Sequence, residues 1–296
     1  MEIKNGFYTA LGTSQDKDGL FLQKSFAQQV KDQTEFGAAG LLVMGSMGLG
    51  VFVRDRDYVK VAKTAISAAR GACPVFIGVT DTTIGRTCDR IDALTGLDFD
   101  GVVATPPYYY AASEREQICY YGEIARRSPK PVFLYDLPSA SRSKITLATI
   151  QGLHGEKNIG GIKTADLPLA LELDQMVMRH ELNAGFKVLY SGLDTFDLAC
   201  NKGIGRNLDG MFACTGQLAH DQYQAFALGD ITGGTKYLKQ IIALRDVFAE
   251  EEIMPSFTYA MNLLGYEGYF HQDYCFMPSQ KQCDKIVDTM KLFHLV

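Results

Sequence analysis

The chain has 296 residues, a length that a single α/β barrel with a helical appendage accommodates without a second core. Hydrophobic residues make up 47% of the sequence and charged residues 21%, which is typical of a globular protein and excludes a disordered one. The formal net charge of −5 offers no basic surface to nucleic acid, and no run reaches the ~18 apolar residues of a membrane span. We therefore expect a cytoplasmic protein with neither nucleic-acid nor membrane partners.

Cysteine and histidine give no sign of a metal site. The seven cysteines form no C-x-x-C pair and are odd in number, which predicts free thiols. The five histidines show no spacing typical of metal ligands. We expect no metal.

Eight short apolar runs, rich in β-branched or aromatic residues, predict eight strands. They cover residues 7–10, 41–44, 75–77, 102–104, 132–135, 159–162, 188–190 and 211–213. Between them apolar residues return every three or four positions, as at Val59, Ala62 and Ile66, which predicts amphipathic helices. A strand followed by a helix, repeated at roughly 22–34 residues, requires parallel strands covered on both faces.

Eight such units predict a (β/α)8 TIM barrel. The alternative is a doubly wound open sheet, which usually carries G-x-G-x-x-G after its first strand. Here Leu11-Gly12-Thr13-Ser14 follows the first strand, and the glycine-rich segment 45–50 follows the second. We predict a barrel over residues 1–216 and a helical region over 217–296 that packs on it, because no low-complexity linker separates the two.

The active site of such a barrel lies at the carboxyl ends of its strands. Lys163 ends the sixth apolar run. Desolvation favours the neutral form of an amine, and a neutral amine attacks a ketone to give an imine. The alternative is a lysine at the rim, solvated or paired with a carboxylate such as Asp166.

Other polar groups follow neighbouring strands. Tyr135 ends the fifth run, where its phenol can move protons during Schiff-base chemistry or simply donate to a backbone carbonyl. The aromatic cluster 108–110 either takes part in the same chemistry or marks a subunit contact. Ser46 lies in a glycine-flanked turn, whose amides can bind a carboxylate or whose glycines can serve a tight turn alone.

Four segments together resemble, in chain order, the motifs of the dihydrodipicolinate synthase and N-acetylneuraminate lyase family of class I, pyruvate-dependent aldolases. They are Gly45-Ser46-Met47-Gly48 for G-[ST]-[ST]-G-E, Pro107-Tyr108-Tyr109 for P-Y-Y, Tyr135-Asp136-Leu137-Pro138 for Y-N-x-P, and Gly161-Ile162-Lys163 for G-I-K.

This resemblance assigns roles to residues. It implies that Lys163 forms the imine, that Tyr135 transfers protons, and that Ser46 and Tyr109 extend a hydroxyl relay. It also implies that amides near Ser46 and Met47 hold the keto-acid carboxylate. The family is commonly tetrameric and built of close dimers, so we expect a homo-oligomer, either a tetramer or a dimer, in which Tyr109 reaches a neighbouring subunit.

The sequence departs from the family pattern in the glycine-rich turn and after the fifth strand. Met47 replaces a hydroxyl and Leu49 an acid, so the carboxylate pocket relies more on amides. Ala140 stands where the synthases carry an arginine that grips the acceptor's carboxylate. Arg142 lies two residues further on and is the candidate substitute.

A further departure follows the seventh strand. Sialic-acid lyases carry an acidic pair after a glycine there, and this chain keeps Gly192 and only the first acid, Asp194. Both residues are candidates for binding the acceptor.

The sequence thus predicts an aldolase or lyase that condenses or cleaves pyruvate with a small aldehyde, such as one derived from a sugar acid. No cofactor is implied, because the imine supplies the electron sink that other aldolases obtain from zinc. Dihydrodipicolinate synthase is the alternative enzyme. A non-catalytic member that binds a keto acid is the alternative from another functional class.

Overall fold

The computed structural model describes residues 2–296 and contains a closed barrel of eight strands in the order β1 to β8. The strands are β1 (Gly6–Ala10), β2 (Gly40–Val43), β3 (Val75–Gly78), β4 (Gly101–Ala104), β5 (Val132–Asp136), β6 (Ile159–Thr164), β7 (Lys187–Tyr190) and β8 (Arg206–Asp209). This is the (β/α)8 architecture predicted from the sequence, and the first seven strands lie within two residues of their predicted positions.

Within residues 2–296, twelve α-helices surround or follow these strands. They are α1 (Gln23–Glu35), α2 (Asp55–Ala69), α3 (Ile84–Asp92), α4 (Glu114–Arg127), α5 (Pro138–Ser141), α6 (Leu147–Gly152), α7 (Leu167–Met178), α8 (Phe196–Asn201), α9 (Gly216–Ala227), α10 (Ile231–Ala249), α11 (Ile253–Leu263) and α12 (Gln280–Leu292). The last four form the predicted C-terminal helical region.

The eighth strand was predicted wrongly. Residues 211–213 form a short 3-10 helix, and β8 is the preceding segment Arg206–Asp209. Its polar residues hide the strand from a search for apolar runs: Asn207 is fully buried beside Tyr190 of β7, and Arg206 donates to the carbonyl of Val188. Met211–Ala213 is apolar because it is buried, although it is not extended.

The chain divides into two compact units. One comprises the described residues up to Asn5 together with Pro74–Leu208, and contains the parallel pairs from β3 to β7 and most of β8. In it, β6 approaches β7 so closely at Gly161 that an added Cβ would lie 2.0 Å from the carbonyl oxygen of Lys187. Only glycine fits there, two residues before Lys163.

The other unit comprises Gly6–Cys73 and Asp209–Val296. It holds β1 and β2, paired in parallel, with α1, α2 and the four C-terminal helices. Phe212 packs edge-on against Phe7 of β1, His220 of α9 bonds to the carbonyl of Phe36, and Tyr266 donates to Asp32. The C-terminal helices therefore pack on the first β/α unit.

Across residues 2–296, no helix combines the length and the apolar composition needed to cross a bilayer. All seven cysteines are free, as predicted.

Candidate active site

Lys163 and Tyr135 lie side by side at the carboxyl ends of β6 and β5. The two residues are register partners, so both side chains leave the sheet on the same face. The Nζ atom of Lys163 donates to the Tyr135 hydroxyl at 2.7 Å and lies 3.9 Å from the centre of the phenol ring. Lys163 is 6% exposed and Tyr135 5%. The structure thus brings together the predicted nucleophile and the predicted proton carrier.

Lys163 is neither solvated nor paired with Asp166. Within residues 2–296 no carboxylate lies within 4.0 Å of its amine, and Asp166 instead pairs with Lys144 at 3.0 Å. A phenol that is hydrogen-bonded to a buried amine can exchange protons with that amine. This arrangement suits imine formation better than it suits a structural ion pair.

A charged cluster that sequence reasoning missed lies one residue beyond this pair. The rim cluster, as we call it, consists of Asp136, Lys144, Thr164 and Asp166. The Asp136 carboxylate accepts hydrogen bonds from Lys144, from the Thr164 hydroxyl at 2.8 Å and from the Ile145 amide at 3.1 Å. Asp136 and Thr164 are themselves register partners, so the cluster connects β5 to β6.

Two members of the rim cluster, Lys144 and Asp166, have pKa values shifted in favour of their charged forms. Burial opposes the charge of Lys144, but the carboxylates of Asp136 and Asp166 outweigh it and raise the pKa of this lysine. Burial likewise opposes ionisation of Asp166, and the Leu169 amide and Lys144 together lower its pKa. A cation with two anions therefore lies beside the candidate nucleophile.

Tyr109 and Arg142 lie together on exposed loops. Arg142 follows α5 in the left-handed conformation, with φ of 60°, and its guanidinium donates to the Tyr109 carbonyl at 3.4 Å. Tyr109 is 71% exposed and its ring stacks edge-on with that of Tyr110, 78% exposed, at a centroid distance of 5.0 Å. The contact uses the backbone of Tyr109, so its hydroxyl is not held by Arg142.

Gly192 and Asp194 follow β7. A Cβ added to residue 192 would lie only 2.1 Å from the Tyr190 hydroxyl oxygen, so this position accommodates only glycine. Asp194 is exposed in the short 3-10 helix Leu193–Thr195. Tyr190 also bonds to the Thr195 hydroxyl, which fixes this turn against the end of β7.

The glycine-rich turn that contains Ser46 and Met47 belongs to the compact unit formed by Gly6–Cys73 and Asp209–Val296. Ser46 is exposed at its apex, and Met47 packs on Gly210, whose added Cβ would lie 2.5 Å from the Met47 methyl. Leu49, which replaces the acid of the family motif, is buried with φ of 53°. A left-handed conformation costs a residue such as leucine roughly 1–2 kcal/mol, which the packing of the turn must offset.

A second buried ion cluster, also missed from the sequence, follows β3. Asp81 is 2% exposed and accepts from Arg86 at 2.7 Å and from Arg90 at 2.9 Å. Burial alone raises the pKa of Asp81, but the bonds from Arg86, the Thr82 amide and Arg90 outweigh it and lower the pKa to about 2. The carboxylate therefore attaches the start of α3 to the end of β3.

Comparison with known sequences identifies relatives over most of the chain. Residues 4–290 match the model of the dihydrodipicolinate synthetase family. The 4-hydroxy-tetrahydrodipicolinate synthase of Kosmotoga olearia is 25% identical over 249 residues, 82% of each chain. That of Methylobacterium radiotolerans is 24% identical over 263 residues, 88% of this chain and 86% of its own.

Solved structures share the fold. YagE, a prophage protein of E. coli K12 solved in complex with pyruvate, superimposes with a TM-score of 0.90 at 20% identity over 100% of both chains. The dihydrodipicolinate synthase of Thermotoga maritima gives a TM-score of 0.91 at 18% identity, again over 100% of both chains. The resemblance inferred from the four motifs is confirmed: this chain belongs to the dihydrodipicolinate synthetase family.

Proposed function

We propose that this protein is a Schiff-base aldolase or lyase that joins pyruvate to a small aldehyde or releases it from the joined product. The observation that carries this proposal is the buried 2.7 Å hydrogen bond between Nζ of Lys163 and the hydroxyl of Tyr135. Membership of the family supports it, and so does the pyruvate bound to YagE.

In the proposed mechanism the neutral amine of Lys163 attacks C2 of pyruvate to form a carbinolamine. Tyr135 protonates the carbinolamine oxygen, which leaves as water and gives the iminium. Loss of a proton from C3 produces an enamine, whose C3 bonds to the aldehyde carbon while the aldehyde oxygen takes up a proton. Water then hydrolyses the imine, which releases the product and restores the amine.

The remaining site residues have proposed roles in proton transfer and in substrate binding. Ser46 and Tyr109 extend the proton relay from Tyr135, and amides near Ser46 and Met47 hold the pyruvate carboxylate. A position for the aldehyde near Arg142, Gly192 and Asp194 is supported by their place after β5 and β7, since barrel enzymes bind substrates at that end of their strands. No metal or organic cofactor takes part, and we place the enzyme in the cytoplasm as a homo-oligomer.

Hydrogen exchange tests this function without knowledge of the aldehyde. In deuterated water, an enzyme that interconverts the pyruvate iminium and enamine replaces the methyl protons of pyruvate with deuterium, which proton NMR records. We expect exchange with the wild-type protein and none above the uncatalysed rate with Lys163→Ala. Equal exchange in the two proteins would contradict the proposal.

A second candidate is the reaction in the names of the curated relatives, 4-hydroxy-tetrahydrodipicolinate synthesis from pyruvate and aspartate semialdehyde. The absence of an arginine at Ala140 speaks against it, because no bidentate donor stands at that position for the acceptor's carboxylate. Pyruvate consumption should be measured with aspartate semialdehyde and with a panel of hydroxyaldehydes. Faster turnover of a hydroxyaldehyde supports the first candidate, and faster turnover of the semialdehyde supports the second.

A further inference from the structure

The rim cluster lies immediately behind the reacting pair. Side chains alternate between the two faces of a strand, so Asp136 and Thr164 project away from the face that carries Tyr135 and Lys163. Both pairs are in register across β5 and β6. The 2.8 Å hydrogen bond from Thr164 to Asp136 therefore connects the two strands one residue beyond the 2.7 Å bond from Lys163 to Tyr135.

Asp136 is bound from three directions. Its second oxygen accepts from the Ile145 amide at 3.1 Å, which attaches the loop after α5, and Lys144 from the same loop supplies a positive charge. Asp166, which accepts from the first turn of α7 at Leu169, holds the same lysine at 3.0 Å. The position of the β5 end is thus fixed relative to β6, the loop and α7.

The charge of Asp136 is balanced locally by Lys144, which also pairs with Asp166. Asp136 is buried, and a buried carboxylate is stable only when it is paired and hydrogen-bonded. Lys144 provides that pairing, so removal of the lysine alone leaves an anion behind the active site with only two neutral donors. Removal of both charges leaves an amide that can still accept a hydrogen bond from Thr164.

We propose that Asp136, charge-balanced by Lys144, is a positioning residue that sets the distance between the Lys163 amine and the Tyr135 phenol. This role rests on the Schiff-base function proposed above. It is a demanding one, because misplacement of a reacting group by about 1 Å can cost a factor of roughly 100 in rate.

Four variants test the role. Lys144→Met leaves Asp136 unbalanced, and Asp136→Asn with Lys144→Met removes the charges of this pair. Thr164→Val removes the strand-to-strand hydrogen bond, together with the acceptor of the Asp166 amide, with little change in shape. The matched control is Asn158→Ala, at the opposite end of β6, where the side-chain amide donates to the carbonyls of Ala125 and Ser128. The control loses part-buried hydrogen bonds in the same unit but leaves the rim cluster intact.

The measurements are kcat and KM for deuterium exchange into pyruvate, and urea unfolding of each variant. We expect kcat to fall at least about tenfold in Lys144→Met and in Thr164→Val with KM for pyruvate within about twofold of wild type. The double variant should recover most of the kcat that Lys144→Met loses. Asn158→Ala should lose stability and keep the wild-type kcat.

The outcomes separate the two proposals. If wild-type protein exchanges and the folded Lys144→Met and Thr164→Val variants keep its kcat, Asp136 has no positioning role and the Schiff-base function stands. The positioning role is also contradicted if Asn158→Ala loses as much kcat as they do, since the loss then follows stability. If wild-type protein does not exchange, the proposed function fails and the positioning role fails with it. Should Lys144→Met not fold, Thr164→Val decides alone.

Discussion

Lys163 and Tyr135 meet because two short strands are in register. Each residue stands near the carboxyl end of its strand, and parallel pairing of β5 with β6 puts the amine and the phenol on one face. The glycine at 161 contributes by letting β6 approach β7 where a side chain would collide with the carbonyl of Lys187. The local sequence Gly-Ile-Lys therefore determines both the close strand packing and the position of Lys163.

Replacement of Tyr135 by phenylalanine tests the proton carrier at the scale of one residue. The variant keeps the ring against Lys163 but loses the hydroxyl, so pyruvate should still form an imine slowly while deuterium exchange falls about 100-fold or more. Tyr110→Phe, at an exposed tyrosine of the neighbouring loop, is the control and should retain the wild-type rate. Exchange at the wild-type rate in Tyr135→Phe would remove the phenol from the mechanism.

The proximity of Lys163 and Tyr135 was predictable from the sequence, whereas the rim cluster beside them was not. Lys163 and Tyr135 end apolar runs, so strand periodicity alone places them at the rim. Lys144 lies in a loop between α5 and α6, and nothing in the sequence indicates that it turns back toward Asp136. The one available signal was the aspartate at 136, where the family motif has asparagine, because a buried charge requires a partner.

At the scale of elements, the junction of β3 and α3 is held by charge. Asp81 accepts from both Arg86 and Arg90, and Arg90 is itself buried. Because these bonds lower the pKa of Asp81 from 3.8 to about 2, the folded state binds its proton less tightly than the unfolded state does. The resulting stabilisation is complete above about pH 5 and is lost as the pH falls toward 2.

Asp81→Asn should reveal this dependence on pH. At pH 7 the variant should be less stable by about 2 kcal/mol or more, since the lowered pKa alone accounts for about that much. The difference from wild type should shrink steadily between pH 5 and pH 2, as measured by urea unfolding at each pH. Asp98→Asn, at a fully exposed aspartate, should match wild type throughout. A difference for Asp81→Asn that does not depend on pH would contradict the ionised cluster.

The elements also show where periodicity fails as a guide to structure. Seven strands were located from apolar runs because their residues are buried on both faces of the barrel sheet. β8 carries Arg206, Asn207 and Asp209 in four positions, so its sequence resembles a loop. The buried 3-10 helix that follows β8 has the apolar composition of a strand. An apolar composition therefore indicates that a segment is buried, and does not show that its backbone is extended.

At the scale of the whole molecule, the sequence-based division into a barrel over 1–216 and a helical region over 217–296 stays a prediction. Within its own compact unit, the helical region contacts the first β/α unit directly. His220 and Tyr266 bond to Phe36 and Asp32, at the end of α1 and within it. We expect these helices and the first β/α unit to unfold together.

Oligomerisation is the prediction that belongs to this scale. Tyr109 and Tyr110 expose two adjacent aromatic rings on one loop, a composition enriched at subunit contacts. We expect a dimer or tetramer in sedimentation experiments, and dissociation to smaller species in Tyr110→Asp. Leu228→Asp, at an apolar side chain of similar exposure in the C-terminal region, should keep the wild-type assembly. A wild-type protein that sediments as a monomer would contradict the prediction.

Trapping of the imine is the most direct test of the central claim that Lys163 is a Schiff-base nucleophile. The wild-type protein is incubated with pyruvate and sodium borohydride, and the masses of the intact protein and of its peptides are then measured by mass spectrometry. We expect one adduct per chain, with the mass of pyruvate less water plus two hydrogens, on the peptide that contains Lys163, and none in Lys163→Ala. An unmodified protein, or an adduct carried by another lysine while Lys163 stays free, would contradict it.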